Sequence, residues 1–162
     1  MAVAVVALVL VFSFGSTGLI LRFLKKRAVL DHPRERSSHS APTPKGAGIA
    51  VIAVVLSAWL GLAWGTTAAG AAVVVSAAAL FLAGLSWIDD LKGLNPLWRL
   101  FGQGAAVVGV LVHAPPGGSF FGGLLPPFAD LLAAGLFWMW FINLFNFMDG
   151  IDGIAGVEAA CV

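Results

Sequence analysis

Four polar side chains recur at every third position near the end of the chain. They are Asn143, Asn146, Asp149 and Asp152, within the segment NLFNFMDGIDG, and they follow a long apolar stretch. Helix positions three apart are neighbours, so this spacing predicts a slanting polar stripe on an otherwise apolar helix. Polar groups at the end of a membrane helix are costly and usually functional. The alternative is that the two Asn bond neighbouring helices and the two Asp simply leave the membrane.

A second polar region contains the adjacent carboxylates Asp89 and Asp90, which end an apolar run. Two such charges repel each other, and a divalent cation removes that conflict. Mg²⁺ takes one or two carboxylates and fills its other positions with water and phosphate oxygens. We therefore predict a metal site at Asp89 and Asp90 for Mg²⁺, with Mn²⁺ as an alternative. Capping of the next segment, or ion pairs with Lys92 and Arg99, would explain the same residues.

A third polar region is the loop DHPRERSSHSAPTPKGAG, residues 31–48. It places Arg36, His39 and Lys45 among hydroxyl side chains and prolines. Gly46 and Gly48 allow the main chain to approach a ligand closely. Cations and free backbone N–H groups at the start of a helix favour an anion, so the loop predicts an anion site. The alternative is a basic loop on the cytoplasmic side of a membrane with no ligand.

The composition sets the class of protein that must position these regions. The 162 residues are 60% hydrophobic and 10% charged, and the net charge is +1. Soluble domains are about a quarter charged, so the composition indicates a membrane protein. The net charge gives no sign of a nucleic-acid surface, and no nucleic-acid partner is expected. The single Cys161 excludes an internal disulfide.

Apolar stretches of about 20 residues predict membrane-spanning helices. Five are expected, which makes the chain an all-α polytopic membrane protein with a single membrane domain over residues 1–162. The first stretch lacks a basic start and is followed at once by Arg22, so we interpret it as a span rather than a cleaved signal peptide. The approximate spans are 1–24, 46–64, 68–88, 97–114 and 129–148.

The basic residues predict the orientation. All nine Lys and Arg lie in two windows, Arg22 to Lys45 and Lys92 to Arg99. These windows follow the first and third spans, so alternation places them on one membrane face together with the polar stripe. Because Lys and Arg prefer the cytoplasmic side, the N-terminus is expected outside and all three polar regions inside. The Pro- and Gly-rich loop before the fifth span is expected outside with Asp130, resting on the membrane surface or dipping into it.

The three regions, in this order, resemble the polyprenyl-phosphate N-acetylhexosamine-1-phosphate transferases of glycosyltransferase family 4. The likeness is greatest to the O-antigen-initiating branch, whose first loop reads D-x-P-N-x-R-S-S-H-x-x-P-T-P-R-G-G-G. The acidic pair and the stripe resemble the family's D-D and N-x-x-N-x-x-D-G-x-D-G signatures. The chain departs from the first pattern at Arg34, Lys45 and Ala47, where that pattern has Asn, Arg and Gly.

The resemblance implies an activity. An N-acetylated sugar-1-phosphate passes from a UDP-sugar to undecaprenyl phosphate, which releases UMP and starts a lipid-linked surface glycan such as O-antigen or a cell-wall polymer. The implied location is the bacterial inner membrane, which the chain crosses several times. The resemblance also makes a homodimer a candidate assembly. The resemblance implies catalytic roles for Asp89, Asp90, Asp149 and Asp152, and substrate binding by Arg36, His39, Lys45, Asn143 and Asn146.

Members of the family continue through further helices, which carry another metal-site Asp and a sugar-selecting loop. We therefore expect this chain to be the N-terminal part of a longer transferase and to be inactive alone. A CDP-alcohol phosphotransferase is an alternative, suggested by D-x-x-D-G at Asp149 to Gly153, although the Arg which that family carries shortly afterwards is missing. A non-enzymatic transporter or channel subunit, with the Asp and Asn as an ion path, is another.

Overall fold

The computed structural model describes residues 2–27, 30–31, 43–44, 46, 48–113 and 119–148. Over these residues the chain forms five helices and one pair of two-residue strands, which confirms an all-α polytopic membrane protein. The elements are α1 (Ala2–Lys26), β1 (Leu30–Asp31), β2 (Thr43–Pro44), α2 (Gly48–Ala63), α3 (Ala69–Lys92), α4 (Pro96–Val112) and α5 (Pro127–Met148).

Each predicted span corresponds to one helix. Three helices are long and apolar enough to cross a membrane, over Val3–Lys26, Ala69–Lys92 and Pro127–Asn146. The apolar helices α2 and α4 are shorter, at 16 and 17 residues. The largest difference from the predicted bounds is in α3, which continues past residue 88 to Lys92 and so carries both carboxylates of the acidic pair.

The described residues divide into two compact units, and unit 1 contains α1, the strand pair, α2 and α3. Helix α1 packs on α2, and α2 packs on α3. The buried side chains in α2 and α3 are small, namely Ala50, Ala72 and Ser76. Small residues let helix backbones approach closely, which is the usual basis of helix packing in membranes. A sharp turn at Gly65, with φ 76°, separates α2 from α3 and lies in the gap between the predicted spans 46–64 and 68–88.

Unit 2 contains α4 and α5, which pack against each other. Asn95 caps the start of α4 because its side-chain oxygen accepts the Leu97 N–H at 2.9 Å, and Pro96 takes the first helical position, where no N–H is needed. The core of the unit is formed by small and aliphatic side chains from both helices. These are Val107, Leu111 and Ala134, with Phe121, Met139 and Ile142 packed against them.

Candidate functional site

The acidic pair occupies the last turn of α3. Asp89 is half-buried and Asp90 is exposed, so the neighbouring side chains point in different directions, as helix geometry requires. The Asp89 Oδ1 atom accepts the Leu94 N–H at 2.7 Å, and the Asp89 carbonyl accepts the Gly93 N–H at 2.7 Å. Gly93 ends the helix with φ 66°. Asp89 thus closes the end of its own helix α3, whereas the next helix, α4, is capped by Asn95.

The electrostatics of this turn favour a cation. The C-terminal end of a helix carries partial negative charge, and Asp89 and Asp90 add two carboxylates to it, with Lys92 as the basic residue of the last turn. Over the described part of the chain, no group of three or more His, Cys, Asp or Glu could hold a metal. A pair of carboxylates nevertheless fits Mg²⁺, which takes its remaining ligands from water and phosphate. The metal role of the pair stays a prediction.

Unit 1 brings the end of the basic loop to the end of α3 that carries the acidic pair. Gly46 lies directly against the indole ring of Trp87, and a side chain at Gly46 would collide with that ring. The main chain at Gly46 thus makes a close approach to Trp87. The other end of the loop is held nearby, because Leu30 pairs with Pro44 and Asp31 with Thr43 across the two short strands.

In unit 2 the first polar residue of the stripe joins the two helices. The Asn143 Nδ2 group donates to Gln103 Oε1 at 2.8 Å and to the Met139 carbonyl at 2.9 Å. Gln103 is only 4% exposed. The alternative in which Asn143 bonds a neighbouring helix is therefore correct. Both hydrogens of Nδ2 are used in this way, so Oδ1 is the atom of Asn143 that remains to meet a ligand.

Four polar residues of unit 2 lie toward one end of the helix pair, namely Arg99, Gln103, Asn143 and Asn146. Contacts of Gln103 with Asn143 and of Leu111 with Gly135 make α4 and α5 antiparallel, so the start of α4 lies beside the end of α5. Arg99 precedes Gln103 by one helical turn, and the exposed Asn146 follows Asn143 along α5. This end of the unit therefore carries two amide side chains of α5 beside the first turns of α4.

The remaining predicted site residues lie outside the described part of the chain. Their assignments stay predictions, and they are Arg36, His39, Lys45, Asp149 and Asp152.

Two polar residues of unit 2 have hydrogen-bond partners that the sequence does not predict. Gln103 stands alone in an apolar run, and this isolation is the signal that could have singled it out. Asp130 was expected simply outside, yet it is 4% exposed. Its carboxylate accepts hydrogen bonds from the Ser119 hydroxyl at 3.0 Å, from the Phe120 N–H at 2.8 Å and from the Phe121 N–H at 3.0 Å. Asp130 lies in the first turn of α5 and Asn143 near its other end, so this cluster is separate from Asn143 and Asn146.

Comparison with known proteins places these residues in a family. The sequence pattern of glycosyl transferase family 4 matches residues 71–162, a segment that includes the acidic pair and the polar stripe. The decaprenyl-phosphate N-acetylglucosaminephosphotransferase of Mycobacterium leprae is 29% identical over 160 residues, which covers 90% of this chain and 40% of that protein. The protein of the same name from Mycolicibacterium smegmatis is 31% identical over 164 residues, covering 90% and 39%.

A relative that bears a different name is also similar. The phospho-N-acetylmuramoyl-pentapeptide-transferase of Mycobacterium avium is 33% identical over 196 residues, which covers 97% of this chain and 53% of that protein. The chain thus spans about half or less of the length of these relatives. No solved structure matches the chain. Since the family pattern covers more than half of the 162 residues, the resemblance seen in the three polar regions is confirmed, and the chain belongs to glycosyl transferase family 4.

Proposed function

We propose that the complete protein transfers an N-acetylated sugar-1-phosphate from a UDP-sugar to a polyprenyl phosphate, with release of UMP. The reaction takes place at the cytoplasmic face of a bacterial inner membrane and starts a lipid-linked cell-envelope glycan. The observation that carries the proposal is the carboxylate pair in the last turn of α3, a membrane helix within the segment that matches the family. Carboxylates at a helix end suit a site at the membrane surface better than an ion path through the bilayer.

The chemistry is phosphoryl transfer, in which positioning and charge neutralisation supply most of the catalysis. An oxygen of the lipid phosphate forms a bond to the sugar-bearing phosphorus of the donor, and the bond from that phosphorus to the UMP oxygen breaks. Asp89 and Asp90 would hold Mg²⁺, which when bound neutralises charge on the diphosphate. The lipid phosphate is already anionic, and its last proton has a pKa of about 6. We assign removal of that proton to one of the two carboxylates, Asp89 or Asp90.

The polar groups of the other regions serve the two substrates in this proposal. Asn143 Oδ1 and the exposed Asn146 bind the nucleotide or the sugar. Arg36, His39 and Lys45 contact phosphate, and Gly46 holds the end of their loop at the end of α3 that bears the carboxylates. Asp149 and Asp152 complete the catalytic set.

The test is an exchange assay in membranes that contain the complete protein. Labelled UMP should enter UDP-N-acetylglucosamine only when polyprenyl phosphate and Mg²⁺ are both present, and removal of the metal with a chelator should stop the exchange. UDP-N-acetylmuramoyl-pentapeptide is the second donor to compare, because the names of the relatives divide between these two sugars. Undecaprenyl and decaprenyl phosphate are compared as acceptors in the same way. Turnover of a CDP-alcohol with no exchange from any UDP-sugar would contradict the proposal.

A further inference from the structure

The segment before α5 is almost entirely apolar, although it is not part of a regular helix. We define the apolar loop as residues 119–126, with the sequence SFFGGLLP, and it carries no charged side chain. Its large side chains are exposed at Phe120, by 50%, and at Leu124, by 86%. The polar turn between α2 and α3 differs, because it exposes Thr66 and Thr67.

The buried Asp130 side chain forms hydrogen bonds with the first part of this loop. Its carboxylate accepts the Ser119 hydroxyl and the backbone N–H groups of Phe120 and Phe121. The Phe121 side chain then packs on the core of unit 2. The carboxylate is turned inward and meets three donors, so it does not require water on the outer surface of the loop.

The rest of the loop also satisfies much of its own backbone. The Gly123 N–H donates to the Ser119 hydroxyl oxygen at 2.7 Å, and the Leu124 N–H donates to a carbonyl of the loop at 3.2 Å. Pro126 and Pro127 have no N–H to satisfy. Non-helical backbone can leave water only where its polar groups find partners in the protein. These bonds and the two prolines lower the number of N–H groups at this loop that would need water in a lipid environment.

The exposed surface of the loop is continuous with that of α5. Helix α5 begins at Pro127 and is long and apolar enough to cross a membrane, and its first turns expose Phe128, Leu131 and Leu132. The apolar character of this exposed side of α5 suits contact with lipid. The exposed Phe120, Leu124 and Leu125 extend the same apolar surface beyond the start of the helix.

We propose that the apolar loop is a lipid-embedded anchor locked by Asp130. The carboxylate holds the loop folded, and the side chains of Phe120, Leu124 and Leu125 insert into the acyl region of the bilayer at the start of α5. The anchor lies at the end of unit 2 opposite to Asn143. Its role is to hold the antiparallel pair α4–α5 at a defined depth in the membrane, and it does not depend on the sugar donor or on the reaction assigned above.

The experiment measures the depth of a single labelled cysteine in the complete protein, reconstituted in phosphatidylglycerol–phosphatidylethanolamine vesicles. Leu124→Cys is made in a background with Cys161→Ser and with any further cysteine replaced, and it is labelled with a polarity-sensitive fluorophore. Thr67→Cys in the polar α2–α3 turn is the matched control. Iodide in water should quench the label at 124 at least ~3-fold less than the label at 67, while lipids spin-labelled on their acyl chains should quench it more.

The lock is tested with the same label after Asp130→Ala, which should raise iodide quenching at 124 at least ~3-fold because the loop N–H groups then need water. Ser119→Ala decides the matter if Asp130→Ala does not fold, since it removes the hydroxyl that bonds both Asp130 and Gly123. If iodide quenches the label at 124 as strongly as the label at 67 while Asp130 and Ser119 are intact, the anchor is overturned. Protection from both quenchers would mean a protein cover and would overturn it as well. Unchanged quenching in the folded variant would overturn the role of Asp130.

Discussion

The backbone of Gly46 lies against the indole ring of Trp87 and leaves no space for a side chain. This contact joins the end of the basic loop to the end of α3, two residues before Asp89. Gly46 also has φ 88°, a conformation that L-amino acids rarely adopt. Two independent requirements therefore make glycine necessary at this position, and both serve to bring the basic loop and the acidic pair to one end of unit 1.

Gly46→Ala should destabilise the protein. The added methyl group meets the Trp87 ring and also strains the backbone. The free energy of unfolding should therefore fall by about 1–3 kcal/mol. Thermal unfolding of the complete protein in detergent or nanodiscs measures it. Gly48→Ala is the matched control, because the space around Gly48 is open and the residue begins α2. Trp87→Ala added to Gly46→Ala should recover part of the loss, and equal melting temperatures for the two alanine variants would contradict this account of the contact.

Gln103 and Asn143 should show a measurable coupling. Each single change to Leu leaves a half-buried or buried amide without its partner, whereas the double change removes both. The double variant should therefore lose less free energy of unfolding than the two single variants lose in sum, and the difference should be about 0.6–2 kcal/mol. The measurement is a double-mutant cycle, in which the wild type, both single variants and the double variant are unfolded reversibly under one set of conditions. Strict additivity would show that the 2.8 Å bond contributes nothing to the packing of α4 on α5.

Asn146→Ala should separate binding from stability. Asn146 is exposed on α5, so its removal should leave the melting temperature unchanged. As a donor to a charged substrate, its loss should lower kcat/KM for UMP exchange by roughly 10–100-fold. Asn143→Ala, by contrast, should lower both activity and melting temperature. Full activity in folded Asn146→Ala protein would remove this residue from the proposed site.

The orientation predicted from the basic residues can be read from single cysteines in a Cys161→Ser background. Lys26→Cys and Lys92→Cys lie at one end of unit 1, and Thr67→Cys lies in the turn at its other end. A membrane-impermeant thiol reagent should therefore reach Thr67→Cys from outside and the two lysine positions only from the cytoplasm. Asn146→Cys should behave like Lys92→Cys. Labelling of Asn146→Cys from outside would place the polar stripe on the wrong face for the proposed reaction.

The helices were predictable from the sequence because the bilayer requires long apolar runs, and such runs are visible in one dimension. The acidic pair and the polar stripe were equally visible, since a charge or amide stands out in such a run. The sharp turn at Gly65 and the start of α4 near Asn95 also follow from local residue chemistry. Helix α3 continues to Lys92, four residues past the predicted end of the span at residue 88, because a helix need not end where its apolar run ends.

The polar partnerships were not predictable because they depend on which helix faces meet. Gln103 and Asn143 are 40 residues apart, and the sequence does not say that their side chains share an interface. The contact of Gly46 with the ring of Trp87 was likewise not predictable, because the two residues lie 41 positions apart. Asp130 shows the same limit, because its donors lie 9–11 residues earlier in a segment without regular structure.

The most direct test of the proposed reaction is Mg²⁺-dependent UMP exchange by Asp89→Asn and Asp90→Asn in the complete protein. Asparagine keeps an oxygen that can accept the Leu94 N–H, so Asp89→Asn should still close α3 and fold. We predict that both variants retain the wild-type melting temperature and lose exchange at least ~100-fold at saturating UDP-sugar and polyprenyl phosphate. Wild-type exchange rates and an unchanged Mg²⁺ requirement in both folded variants would contradict the assignment of the acidic pair.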